Sequence, residues 1–444
     1  MNTPIFDFVK DYAESGFSRL HMPGHKGKSF LGCEKYDITE IDGADVLYGA
    51  TGIIKESENN ASSLFNAAAT FYSTEGSTLC IKAMLSLVCT GKNERPLILA
   101  ARNVHKAFIY AGALLDFDVR WMYTEKGSHL CSCQLTAQEV EKHILDCDKN
   151  PDAVYITSPD YLGNLADIRG ISAVCDKYGI PLLVDNAHGA YLGFLKENVH
   201  PINQGATMCC DSAHKTLPVL TGGAYLHIGE KGKAFIPHAE DFLSLHASTS
   251  PSYMIMQSLD LCNAYLSDGY RERLSLTVER LVRLKADLTL LGFEVAETEP
   301  LKLTLSPLSC GYAGTELADL LFEKGISCEF SDRDFVVMML TPENGEEDFK
   351  KLSAALSSLE KRNAITPSPL PKLKAGERKL TLRQSIFAKG EWIDISLAEG
   401  RICASPTVSC PPAVPVAVSG EVITKEAIEI FRTYGIDKIR VITE

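Results

Sequence analysis

Pro181–Phe194 reads PLLVDNAHGAYLGF, and Thr207–Leu217 reads TMCCDSAHKTL. Each begins as a short strand-like run and then delivers a reactive side chain. The first delivers Asp185; about thirty residues on, the second delivers Lys215 within Ser212-Ala213-His214-Lys215. Apolar runs of this length suit strands buried on both faces, as in a parallel sheet covered by helices. A lysine in a partly desolvated site can lose its proton and form a Schiff base, and a buried carboxylate can keep a pyridine nitrogen protonated. The pair therefore points to an aldehyde-bearing cofactor. Taken singly, a lysine is usually a surface residue and an Asp after a strand is usually a helix cap.

Working outward, RPLILA (95–100), FDVRWMY (117–123), DAVYITS (152–158) and IPLLVD (180–185) predict strands. Between them HKAFIYAGALLD (105–116), TAQEVEKHILDCDK (136–149) and IRGISAVCDKYG (168–179) predict helices, the second opened by a Thr136/Glu139 capping box and the third closed at Gly179. This alternation predicts an α/β fold with a mainly parallel sheet, whose ligands bind beyond the carboxyl ends of the strands. Asp185, Asp160 with Tyr161, and Arg102 to His105 all fall at that rim. Gly76, Ser77 and Thr78 precede the helical LCIKAMLSLV, so two hydroxyls and the positive helix end make a phosphate-type anion site, although such a triplet alone is usually an N-cap. His105 opens a helix, where its ring can lie over an aromatic ring. His188 is held near Asp185 by the short AHG turn.

Upstream, ASSLFNAAATFY predicts a helix with Ala61, Leu64, Phe65 and Ala68 on one face. Residues 1–60, with one short helix near Ile5 to Glu14, read as an N-terminal arm around RLHMPGHKGKSF. Downstream, TLPVLTGGAYLHIG predicts an antiparallel strand, and HASTSPSYMIMQSLD enters a long helix running to about Leu291. The expected organisation is an arm (1–60), a large domain (61–291), a smaller α+β domain (292–366), and a linker with a C-terminal segment (367–444). Prolines in CPPAVPVAVSGE exclude a central strand or helix there.

At 444 residues the chain is long enough for several domains, and 45% hydrophobic with 23% charged residues is a globular composition. A net charge of −13 argues against a nucleic-acid partner. Fourteen cysteines scattered through apolar runs read as reduced thiols. The Met1 end does not read as a signal peptide, and no apolar run approaches the roughly 20 residues of a membrane helix. A cytoplasmic, soluble protein without membrane association is expected. No metal is expected: Pro23 and Gly24 break any helix between His21 and His25, and His129, Cys131 and Cys133 have no fourth ligand nearby.

RLHMPGHKG (19–27), GST (76–78), RNVHK (102–106), SPDYLG (158–163), PLLVDNAHGAYLGF, DSAHKTLP (211–218), TSPSY (249–253) and GRICASPTVSCPPAVPVAVSGE (400–421) together resemble the pyridoxal-phosphate-dependent ornithine/lysine/arginine decarboxylases, in their compact bacterial form without a wing domain. The resemblance implies an aminotransferase-like fold of type I, with a dimer as the smallest active unit and a small-molecule amino acid as substrate. It makes Lys215 the Schiff-base lysine, Asp185 the partner of the pyridine nitrogen, and His105 the ring that stacks on pyridoxal 5'-phosphate. Ala187 then packs on the other ring face beside His188. Ser77, Thr78, Ser212 and His214 contact the phosphate, and Ser248 reaches it from the neighbouring subunit. The family commonly has DEAHGAH and SPTY where this chain has Asn186, Tyr191 and Asp160; it often has an acid and a tyrosine where this chain has Ser405 and Cys410. Those departures bear on the substrate, and Asp160 is a candidate replacement charge. Decarboxylation of arginine, lysine or ornithine is expected first; an aminotransferase or other lyase on the same scaffold, or a non-catalytic cofactor-binding regulator, are the alternatives.

Overall fold

The computed structural model describes residues 1–124, 131–366, 371, 375–405, 407–410 and 414–443; His129 and the prolines at 411 and 412 lie outside the described residues. The first part of the chain runs α1 (Pro4–Glu14), α2 (Ile53–Phe65), β1 (Ala69–Ser73), α3 (Gly76–Cys89), β2 (Leu97–Ala101), α4 (Lys106–Leu115), β3 (Asp118–Met122), α5 (Ala137–Leu145), β4 (Ala153–Thr157) and α6 (Ile168–Tyr178). It continues through β5 (Leu182–Asp185), β6 (Met208–Asp211), the short α7 (Ala213–Thr216), β7 (Ala224–Ile228), α8 (Ile236–His246), α9 (Tyr253–Ser267) and α10 (Tyr270–Leu290). The remainder holds β8 (Glu294–Val295), β9 (Lys302–Ser306), α11 (Gly314–Glu323), β10 (Phe330–Ser331), β11 (Val336–Met339), α12 (Glu346–Ser357), α13 (Leu382–Ile386), β12 (Gly390–Asp394), β13 (Thr407–Cys410), β14 (Val414–Val418), α14 (Lys425–Thr433) and β15 (Lys438–Ile442).

Two compact units divide these elements. One holds Met1–Thr90 with Ile168–Arg273, the other Gly91–Asp167 with Leu274–Glu444. In the first, strands lie in the order β1-β7-β6-β5, with β5 and β6 parallel and β7 antiparallel to both of its neighbours. Leu182, Leu183 and Val184 are at most 1% exposed, the burial on both faces that their unbroken apolar run requires. Helix α1 shows how a buried acid substitutes for a missing cap: Thr3 makes no side-chain cap bond, and Asp260 Oδ2 accepts from the N–H groups of Ile5 and Phe6 at 2.9 and 3.0 Å. Ile5 and Val9, one helical turn apart, are fully buried.

In the second unit β4, β2 and β3 form a parallel run in that spatial order. The antiparallel β10-β11-β9-β8 sheet packs with α11, α12 and the Leu281, Leu284 and Leu288 face of α10 around Leu303, Leu305, Val336 and Phe349. The pairs β12/β15 and β13/β14 complete it; Pro415 sits in β14, in a two-stranded ladder where every strand is an edge. The Thr136/Glu139 capping box opens α5 as the spacing predicts. No helix among the described residues is long and apolar enough to cross a membrane.

Two element predictions need correction. The helix expected across 61–72 ends at Phe65, because Asn66 turns left-handed (φ 54°) and Ala69–Ser73 pairs with β7, placing Phe71 and Tyr72 opposite Leu226 and Tyr225. The long helix expected up to Leu291 is two helices, since Gly269 adopts φ 64° between α9 and α10.

Candidate active site

Strands β5 and β6 run parallel with Val184 opposite Cys209 and Asp185 opposite Cys210, so both strands deliver their last residues to the same end. Asp185 is 2% exposed; its Oδ1 accepts from the N–H of Ala187 at 3.2 Å and lies 3.7 Å from Cys210 Sγ. Beyond β6 the chain turns through Ser212 into α7, which raises Lys215 half-buried into the site. Lys215 Nζ stands 3.1 Å from Nε2 of the buried His188. That contact holds a single proton: either an ammonium donates to a bare Nε2, or a protonated Nε2 donates to a neutral amine. Lys215 therefore has a proton acceptor in place for the neutral form a nucleophilic amine needs.

The candidate anion-binding residues stand at the start of α3. Gly76 adopts φ 71° and donates its N–H to Gly222 O at 2.7 Å, and Glu75 makes no side-chain cap bond. The half-buried Ser77 accepts from Ser212 Oγ at 2.8 Å, with Thr78 next in the same first turn. The backbone N–H of Ser248 donates to Glu75 Oε1 at 2.6 Å, which puts Ser248 of this same chain against the residue before Gly76. His214 Nδ1 donates to Gly223 O at 2.9 Å. Burial, and the neighbouring Lys215, hold His214 below the ordinary histidine range, while the Gly223 bond opposes them. With Nδ1 committed as a donor, Nε2 of the neutral ring is an acceptor, and donating to a phosphate through it requires a second proton, which a bound anion favours. The donor set of lysine, serine and threonine hydroxyls and helix-end amides, with one buried acid apart from them, fits a phosphorylated pyridine aldehyde.

Ala187 is 9% exposed and lies two residues past Asp185. His105 belongs to the other compact unit, where it caps α4: its Nδ1 accepts from Ala107 N at 3.2 Å, which places the neutral ring's proton on Nε2. The structure thus brings Lys215 to His188, Ser212 to Ser77, and Asp185 to Ala187.

Asp160 does not offer the replacement charge suggested by the sequence. It is 3% exposed, both its oxygens take the Asn164 side-chain amide at 2.9 to 3.1 Å, and it accepts Asn164 N at 2.9 Å, so it closes its own turn. Ser405 is likewise buried, with Oγ accepting from Arg440 N at 3.2 Å. Cys131, considered as a metal ligand, is 1% exposed within an apolar cluster. Asp211, His200 and His227 were not among the residues the sequence singled out; all are fully buried, Asp211 ending β6, the strand that leads to Lys215, and His227 on the adjacent β7. The available signal was a histidine and an aspartate inside otherwise apolar strand runs.

The fold recurs in the solved structure of the E. coli constitutive lysine decarboxylase, which is 19% identical, with a TM-score of 0.79 over 100% of this chain and 82% of that one. It is the α/β, aminotransferase-like fold of type I pyridoxal-phosphate enzymes, with a smaller α+β C-terminal part. The model of the Orn/Lys/Arg decarboxylase major domain matches residues 3–297, and the chain belongs to that family. It is a pyridoxal-phosphate-dependent amino-acid decarboxylase. Among its relatives are the Bacillus subtilis uncharacterized protein YaaO, 30% identical over 97% of this chain and 93% of the relative, and the Bacillus subtilis arginine decarboxylase, 29% identical over 96% and 92%.

Proposed function

We propose that the protein removes the α-carboxyl group of a basic amino acid, arginine ahead of lysine and ornithine. The observation that carries the chemistry is the 3.1 Å Lys215–His188 contact at the rim where β5 delivers Asp185. Arginine is favoured by the relative named arginine decarboxylase, which aligns over nearly the whole of both chains.

Lys215, Asp185, Ala187, Gly76, Ser77, Thr78, Ser212 and His214 would hold the cofactor, with a Ser248 supplied by a neighbouring subunit. Bound pyridoxal phosphate supplies the electron sink for the pair left behind when carbon dioxide departs. Asp185, buried at the end of β5, would hold a proton on the ring nitrogen of the bound cofactor. Lys215 holds a proton at Nζ for return to the substrate Cα, and His188 Nε2 takes or restores that proton. The Gly76–Thr78 turn and Ser212 anchor the phosphate and so fix the ring against Lys215.

Purified protein loaded with pyridoxal phosphate is incubated with each of the three amino acids, and carbon dioxide, amine and keto acid are quantified. Arginine is expected to give amine and carbon dioxide in equal amounts, with kcat/KM at least about tenfold above the other two. Lys215→Ala should lower kcat by about a thousandfold or more. Amine from none of the three would sink the proposal, and keto acid in place of amine would move the chain to the aminotransferase reading.

A further inference from the structure

The ends of β5 and β6 are tied together on the side away from Asp185. Alternation along a strand puts Asp185 and its pairing partner Cys210 on one face and Asn186 and Asp211 on the other. Asn186 Nδ2 donates to Asp211 Oδ1 at 2.7 Å, and the Asn186 backbone N–H donates to Cys210 O at 3.0 Å. Asn186 follows Asp185 in the chain and Asp211 precedes Ser212, so one side-chain bond joins the carriers of Asp185 and Lys215.

That bond sits in a fully buried polar cluster. Asn186, Asp211, His200 and His227 are all 0% exposed. His200 Nε2 and His227 Nε2 lie 2.9 and 3.3 Å from Asp211 Oδ2, and Thr70 Oγ1 lies 2.9 Å from His227 Nδ1. A carboxylate only accepts, so Asn186 Nδ2 and His200 Nε2 each present a hydrogen to Asp211, while His227 Nε2 stands at ion-pair distance without a hydrogen bond; this fixes the Asn186 amide with Nδ2 toward Asp211. Asn186 Oδ1 then turns toward Gly189, where any Cβ would come within 2.0 Å of it. The AHG turn that carries His188 is therefore built around Asn186. Although desolvation opposes its charge, Asp211 is held well below the usual carboxylate range by His200 and His227.

We propose that Asn186 and Asp211, backed by His200 and His227, are positioning residues: they hold the ends of β5 and β6, and the turn bearing His188, in the register the reaction requires. The inference rests on the assignment of Asp185, His188 and Lys215 to the cofactor. Polarity is essential to it, because an acid at both positions would put two carboxylates at hydrogen-bond distance with no proton between them unless one is neutralised. Displacement of a reacting group by about 1 Å costs on the order of a hundredfold in rate.

The test compares wild type with N186A, N186D, D211N and the exchanged N186D/D211N. Pyridoxal phosphate affinity is read by absorbance titration, the pH dependence of the bound cofactor's absorbance is recorded, and kcat, KM and melting temperature without cofactor are measured. N186A, which keeps both histidines on Asp211, should fold, lose about tenfold in kcat with KM unchanged, and shift the pH dependence of the absorbance. N186D should lose about tenfold in cofactor affinity, and the exchanged pair should recover to within about fivefold of wild type. If N186A and N186D match wild type in affinity, kcat and absorbance titration, whatever their melting temperatures, the pair is only structural and the proposal is overturned. An exchanged variant no better than N186D also overturns it. A wild type that takes up no cofactor would instead defeat the assignment of Lys215 and Asp185.

Discussion

Glu58 is 1% exposed, accepts the Tyr72 N–H at 3.0 Å, and has Lys55 Nζ 3.3 Å away. Burial outweighs the attraction of Lys55 and pushes its carboxyl up from 4.5 to about 8. The sign follows from proton counting. Between pH 4.5 and 8 the unfolded chain has released this proton and the folded chain still holds it, so folding stability falls as pH rises through that window. Below it the penalty is absent, and above it the penalty is complete. Glu58→Gln mimics the protonated acid, and Lys55, whose side chain is 34% exposed, remains free to hydrate. Chemical denaturation at pH 5 and pH 8 should show wild type losing about 1–3 kcal/mol more than the variant across the interval. Equal losses would mean that Glu58 ionises in the ordinary range. Nothing local in KESEN, residues 55–59, marks this glutamate as buried; its environment is made by Tyr72 on the following strand.

Among the elements, those legible in sequence were those whose signal is local. Strands β2 to β5 announce themselves by short apolar runs between turn residues, and α5 by its capping box. Residues 66–72 misled because NAAATFY carries alanines that fit a helix and aromatics that fit a strand, and only pairing with β7, more than 150 residues away, decides between them. Distance hides ion pairs in the same way. Arg102, at the end of β2, meets Glu421 across 319 residues of sequence, Nη1 to Oε1 at 2.8 Å and Nη2 to Oε2 at 2.9 Å, with its guanidinium 4.9 Å from the Trp121 ring centroid. Both side chains are 4% exposed. Glu421→Ala leaves a buried cation without its partner and should cost about 3–5 kcal/mol in urea denaturation, whereas replacing both residues by methionine should cost less. A single-variant loss below about 1 kcal/mol would show that water reaches the pair.

At the scale of the whole molecule, the short strings SAHK and GST stand at a strand end and a helix start, and the fold brings Ser212 of the first to Ser77 of the second. The substrate side was not legible. Asp160 reads as a free acid beside the rim and is instead closed on Asn164, a fact set by side-chain geometry that no spacing encodes. A ligand held only by the folded chain must raise the stability of whatever cooperative unit holds it, by about 2.7 kcal/mol at a hundred times its dissociation constant. Pyridoxal phosphate should therefore raise the melting temperature of wild type by a few degrees in scanning fluorimetry. Because the chain forms two compact units, with Lys215 in one and His105 in the other, the shift also has an address. If the units melt separately, the transition that carries Lys215 should move; Lys215→Ala should lose most of that movement while its melting without cofactor stays within a degree or so of wild type. A cofactor that saturates by absorbance yet moves no transition would mean that the folded and unfolded chains bind it alike, and the proposal that Gly76, Ser77, Ser212 and Lys215 hold it would lose its energetic basis.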